Sequence, residues 1–163
     1  MEGDWEEFRY TGPEFSLSYP PGWHVLPGIA GATLVVAPVA FDGMSFVPNV
    51  NVVFAAGAED PLEYLHGSLG EMRAQLASFA TGEVRQEPGS EGTFMVFGEY
   101  EREGQRLCLW QRYRVGTNAS MIVTGTCAVG DREAFETLLC GILESASLSA
   151  ETEAALGTTS DAT

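Results

Sequence analysis

The chain has 163 residues, with 23 acidic side chains against 8 basic ones, a formal charge of −15, and every basic residue is an Arg. A hydrophobic fraction of 45% is enough for one buried core and too high for a disordered chain. So negative a field repels nucleic acid and anionic lipid, whose binding needs clustered positive charge. The absence of any Lys and of a GxxxxGK[ST] run excludes P-loop nucleotide chemistry.

The opening MEGDWEEF carries neither a positive segment nor an apolar one, and so does not read as a secretory signal. The longest apolar stretch, Ala32 to Phe41, falls short of the roughly 20 residues that cross a bilayer. The expectation is a cytoplasmic protein without membrane insertion. Three Cys (108, 127 and 140) without a CxxC spacing are expected to be reduced and buried.

In chain order, Trp5, Phe8 and Tyr10 suggest an extra edge strand or a dimer contact. Glu14 to Tyr19 alternates Phe15, Leu17 and Tyr19 on one face and runs into the turn Pro20-Pro21-Gly22. Short strands follow at Trp23 to Leu26, Ala32 to Pro38 and Val50 to Ala56. A helix begins at Asp60 as N-cap, with Pro61 at its first position and Glu63 at the third. Leu62, Leu65, Leu69, Met72, Leu76 and Phe79 recur at helical spacing, and Gly82 is expected to close that helix. Strands are then expected at Glu83 to Gln86, Gly92 to Glu101, Gln105 to Val115 and Asn118 to Ala128, with a short hairpin loop at Arg102-Glu103-Gly104. A last helix starts at Asp131, with Phe135, Leu138, Leu139, Ile142, Leu143 and Ala146 on one stripe. Residues 1–148 thus read as a single α+β domain, an antiparallel sheet flanked by helices. Ser149 to Thr163 (SAETEAALGTTSDAT) reads as a flexible, solvated tail.

FSLSYPPGW (Phe15 to Trp23), PNVNVVF (Pro48 to Phe54), DPLEYL (Asp60 to Leu65) and QRYRV (Gln111 to Val115) are similar to segments of PsbP-like domains. Within that group the chain resembles the DcrB family and the actinobacterial lipoproteins of the LpqN type, over about residues 8–148. The resemblance implies a PsbP-like α/β/α sandwich. It also implies a binding role, because members of the fold assist photosystem II, bind a small GTPase in nuclear import, or chaperone secretion effectors. It brings no catalytic residue set. The chain departs from LpqN-type lipoproteins in having no lipobox Cys or signal, which argues against a cell-envelope role.

The residues themselves offer little catalytic chemistry. His24 and His66 form no HxxxH or HxxE pairing, and read as satisfied or surface histidines rather than metal ligands or bases. The GxSxG elbow is absent, since the Ser in GMSF (Gly43 to Phe46) lacks the second Gly. No enzyme activity, metal or cofactor is therefore expected. Arg106, Arg112 and Arg114 share one face of the strand Gln105 to Val115 with Cys108 and Trp110. That stripe is either a cross-strand ladder to Glu99 and Glu101 or an anchoring patch for a partner. The loop Phe41 to Asn49 carries Phe41, Met44 and Phe46, and is either core cover or a contact surface. The function expected is a non-enzymatic protein-binding module, a chaperone or adaptor for a secreted or membrane-associated partner, with a homodimer as one possible assembly. The alternative is a small-molecule or lipid carrier, its pocket lined by Met72, Phe54, Trp110 and Phe135.

Overall fold

The computed structural model describes residues 4–10, 14–28 and 32–157. Its centre is a seven-stranded, wholly antiparallel sheet in the order β3-β4-β5-β9-β8-β7-β6. The strands are β3 (Trp23–Pro27), β4 (Leu34–Pro38), β5 (Asn49–Ala56), β6 (Ala77–Gln86), β7 (Thr93–Arg102), β8 (Gln105–Val115) and β9 (Ala119–Ala128). A smaller antiparallel sheet joins β1 (Glu6–Tyr10), β2 (Phe15–Tyr19) and β10 (Ser147–Leu148), in the order β1-β2-β10. The aromatic opening segment does form an extra strand, and it pairs with β2 rather than with the main sheet.

Helix α1 (Pro61–Gln75) lies on one face of the large sheet against β6 and β8, and α2 (Arg132–Ser145) lies on the other against β5, β8 and β9. The small sheet shares the α2 side: Phe15 and Leu17 are buried in one cluster with Val36, Val50, Val52, Trp110, Leu139, Ile142 and Leu143. Ser145 ties the two layers together, its Oγ accepting from the Ser18 amide at 2.8 Å. Beneath α1 a separate cluster joins Leu65 and Leu69 to Phe94, Val96, Tyr113 and Val115. Period-2 alternation decides this sorting. The even positions Cys108 and Trp110 of β8 face α2, while Tyr113 and Val115 face α1. Gly125 on β9, opposite Trp110, lets α2 approach closely, for a Cβ there would stand 3.3 Å from Leu139 Cβ and Leu143 Cδ1. This is the α+β sandwich expected, with the small sheet as an addition.

Local chemistry set the start of α1 and misled about its end. The Asp60 side chain accepts from the Leu62 and Glu63 amides at 3.1 and 3.2 Å, and Pro61 opens the helix. The helix stops at Gln75 instead of continuing to Gly82, and β6 starts at Ala77 rather than Glu83. Leu76, the C-cap of α1, and Phe79, on an irregular strand, face the α1-side core as well as they would from a continued helix. Two register shifts along β6, with Ser78 at φ 56°, reproduce the three-residue spacing. The β7–β8 hairpin turns on Glu103-Gly104 alone, both at positive φ, because Arg102 pairs with Gln105 inside the ladder.

The segment expected as a solvated tail is also corrected. Helix α3 (Ala150–Leu156) is N-capped by Ser149, whose Oγ accepts from the Thr152 amide. Leu156 and Thr152 are buried, and the Asn118 amide donates to Leu156 O at 2.7 Å. Residues 158–163 of the same segment lie outside the described residues.

Candidate functional site: a furrow along helix α2

Among the described residues α2 packs on β5, β8 and β9 and no helix covers β6 and β7 on its side of the sheet, so a furrow opens there. Its deeper part, about 200 Å³, lies between Met95 and Phe97 of β7, Trp110 of β8, Glu83 and Arg85 of β6, and Arg132, Glu136, Cys140 and Glu144 of α2. At Glu144 it meets a wider cleft of about 450 Å³, lined by Arg112, Arg114, Thr93, Ser90 and Glu153 among others. The deeper part runs along one flank of α2, whose 14 residues span about 21 Å at 1.5 Å each, and the wider cleft continues past its C-terminal end along Ala146 to Leu148.

Strand periodicity builds the floor. Met95 and Phe97 project to the same face as Trp110, and the Phe97 and Trp110 ring centroids are 5.3 Å apart. Phe97 lies directly over Gly82, where an added Cβ would come within 2.7 Å of its ring. Gly82 is therefore the seat of this aromatic ring, not the end of a helix.

Arg132 forms the upper wall. It is the first residue of α2, where a cation opposes the helix dipole. It is held there by stacking, its guanidinium 4.3 Å from the Phe97 centroid and 6.0 Å from that of Trp110. A 3.0 Å bond to Glu136 one turn on completes its environment and raises the Arg132 pKa further. Cys140 is half-buried on the same wall. Burial first, then the charges of Glu136 and Glu144, push its thiol up to about 11, so it is protonated at neutral pH and a poor nucleophile.

The expected site residues are divided by the fold. Trp110, Arg112 and Arg114 line the furrow in that order along β8. Both arginines are also engaged internally. Arg112 donates to Ala146 O at 2.9 Å and Leu143 O at 3.5 Å, closing the C-terminus of α2, and binds both Glu87 carboxylate oxygens at 3.3 Å. Arg114 reaches Glu153 of α3 at 2.5 Å and Val115 O at 2.9 Å. Arg106 stands apart near the hairpin end and pairs with Glu99 at 2.8 Å. Of the ladder considered from sequence, this one rung forms.

The loop from Phe41 to Asn49 belongs elsewhere. Phe46 packs against Tyr100, Leu107, Leu109 and Ala128 on the α1 side of the sheet, while Phe41 is 50% exposed. Met44 is half-buried, in a turn whose amide donates to Phe41 O. The carrier pocket does not assemble either. Met72 packs with the clusters under α1, whereas Phe54, Trp110 and Phe135 belong to the cluster under α2.

His66 is exposed and His24 half-buried. Among the described residues no group of three or more His, Cys, Asp or Glu is placed to hold a metal ion, and no helix is long and apolar enough to cross a membrane. The contributions of Arg132, Met95 and Phe97 were not legible from sequence. The available signals were the i,i+4 pair Arg132/Glu136 and the Met95–Phe97 alternation, and neither indicates that the two elements meet.

Comparison with solved structures identifies the architecture. LpqN of Mycobacterium tuberculosis, described as involved in cell envelope biogenesis, superposes with a TM-score of 0.66 at 16% identity, over 89% of this chain and 91% of that one. The solution structure of cyanobacterial PsbP (CyanoP) from Synechocystis sp. PCC 6803 superposes at 0.56 with 12% identity, over 90% and 93% of the two chains. The fold is PsbP-like. A Bacteroides thetaiotaomicron crystal structure matches at 0.54 and 14% identity, the alignment covering 91% of this chain and 50% of that one. No protein-family model matches the PsbP-like chain, and no curated protein matches it by sequence.

Proposed function

We propose that this PsbP-like protein is a non-enzymatic binding module that holds an extended segment of a partner polypeptide in the furrow beside α2. The observation that carries the reading is the furrow's composition. An aromatic floor of Phe97 and Trp110 with the adaptable Met95 supplies apolar contact, and Arg132 brings a guanidinium to its edge, beside a helix about 21 Å long. That length matches about six residues of extended chain at roughly 3.3 Å each. Trp, Arg and Met are residue types enriched in protein interfaces.

In this reading the protein acts as a chaperone or adaptor for a secreted or membrane-associated partner. The LpqN likeness supports the fold on which such a role would rest, and the role itself is our inference. A cytoplasmic location is part of it.

The test is a photo-crosslinking residue at Met95, with a second at Leu62, which is exposed on α1, as control. Irradiation in the native host is expected to yield a covalent polypeptide adduct from position 95 and none from position 62. Equal labelling at both, or a small-molecule mass retained by the native protein without any polypeptide adduct, would refute the reading.

A further inference from the structure

Cys108 and Cys127 take no part in the furrow, yet they form a distinctive chemical pair. They sit directly opposite one another on β8 and β9, both with no exposed surface, and their sulfurs are 3.7 Å apart. Directly opposed residues of antiparallel strands have Cα atoms about 4.5–5.5 Å apart, inside the roughly 4.4–6.8 Å range that a disulfide spans. Small side-chain rotations would bring the sulfurs to the bond length of about 2.05 Å without moving the strands.

We propose that Cys108 and Cys127 are an oxidisable dithiol that closes to a cross-strand disulfide, with a peroxide as the oxidant. Cys108 as thiolate attacks one peroxide oxygen; the O–O bond breaks, hydroxide leaves, and Cys108 becomes a sulfenic acid. Cys127 then attacks the Cys108 sulfur, forming the S–S bond and expelling the sulfenic oxygen, which leaves with a proton as water. The two thiols lose two electrons and two protons in all, and the peroxide is reduced to two waters.

The environment distinguishes the two sulfurs. A hydrogen bond from Cys127 lowers the Cys108 pKa from the ordinary thiol value despite burial, with a smaller contribution from the Arg132 charge. The same bond and burial push Cys127 up. The 3.7 Å contact lets either sulfur donate, and the nearby Arg132 charge favours Cys108 as the attacking sulfur with Cys127 resolving. Access comes from the position of the pair near the end of the β8–β9 ladder. Leu107 with Ala128 is the one rung beyond it, before β9 passes into the 3-10 turn Val129–Asp131. That last rung is itself buried, so hydrogen peroxide, a small molecule, reaches the sulfurs when this end of the ladder opens locally. Cys140, half-buried with its thiol raised to about 11, is the internal control.

The experiment treats the reduced full-length chain with hydrogen peroxide under native conditions, then denatures and alkylates it. The expected result is one alkylatable thiol instead of three, and an intact mass lower by two hydrogens. The peptide map should join Cys108 to Cys127, and dithiothreitol should reverse all of it. In Cys127→Ser the Cys108 sulfenic acid should persist and be captured by dimedone. If that variant does not fold, the wild-type peptide map decides alone. Three thiols surviving peroxide that oxidises free glutathione would overturn the proposal. So would bridging through Cys140, or overoxidation of Cys108 without a bridge.

Discussion

Replacing Arg112 with Met keeps most of its volume and deletes its charge and donors. Two interactions are lost together, and their sizes differ. The guanidinium closes the C-terminus of α2 through Ala146 O at 2.9 Å and Leu143 O at 3.5 Å, from a side chain only 19% exposed. Leu143 O also accepts from the Ala146 amide, so the bond to Ala146 O dominates; a charged hydrogen bond contributes about 1.5–3 kcal/mol, and a cation at a partly buried helix C-terminus up to about 2 kcal/mol, overlapping with the first. The pair with Glu87 is different, because that carboxylate is 45% exposed and such pairs contribute about 0–1 kcal/mol. Arg112→Met should therefore cost about 2–3 kcal/mol, and Glu87→Gln less than about 1. For a domain of this size the Arg112 loss corresponds to a fall in Tm of roughly 5–10 °C. Urea denaturation of both variants, at low and high salt, measures the difference, and the Arg112 cost should change little with salt because the carbonyls carry no net charge. Equal costs for the two variants, or an Arg112 effect abolished by salt, would refute the capping role.

Three further outcomes follow from the same geometry. Gly125→Val should push α2 away from β9 and destabilise the chain by about 1–3 kcal/mol, read as a lower urea midpoint at unchanged m. Removal of residues 149–163 should destabilise rather than leave the chain unaffected, because it strips Leu156 from its buried seat and leaves Arg114 without Glu153; a thermal melt of the truncated chain checks this. Cys140 has a pKa of about 11 folded against an ordinary 9.0, so its contribution is complete below pH 9 and is lost as pH rises towards 11. Cys140→Ala should flatten the fall in stability over that window, as followed by denaturation at stepped alkaline pH.

What could be read from the sequence was what short-range chemistry decides. The Asp60-Pro61 start of α1, the α2 stripe and the face shared by Trp110, Arg112 and Arg114 all depend on residues within a few positions of one another. The end of α1 did not yield to that reasoning, because Leu76 at the cap and Phe79 on a bulged strand reach the same core that a longer helix would offer. Helix α3 was missed for a different reason. AETEAAL has almost no apolar stripe and is anchored from a distance, by Asn118 to Leu156 O and Ala155 O and by Arg114 to Glu153. The furrow was half visible. Its β8 residues lie in one strand, but Met95, Phe97 and Arg132 come from elements whose adjacency is a matter of topology alone.

The charge that dominates the composition is distributed with the same logic. Arg106, Arg112, Arg114 and Arg132 are each paired with a Glu, and two of them join layers, Arg114 through Glu153 of α3 and Arg112 through Ala146 O at the end of α2. Arg132 alone among these four also stacks on the aromatic floor, which makes it the arginine at which binding in the furrow is challenged most directly.

The most direct measurement is the photo-crosslinking yield from Met95 in the native host, with Arg132→Glu as a paired variant whose fold is checked by its melting transition. The account predicts a polypeptide adduct at position 95 that is strongly reduced by Arg132→Glu while the melt stays cooperative. An adduct unaffected by that substitution, or none at position 95 when one forms at Leu62, would contradict it.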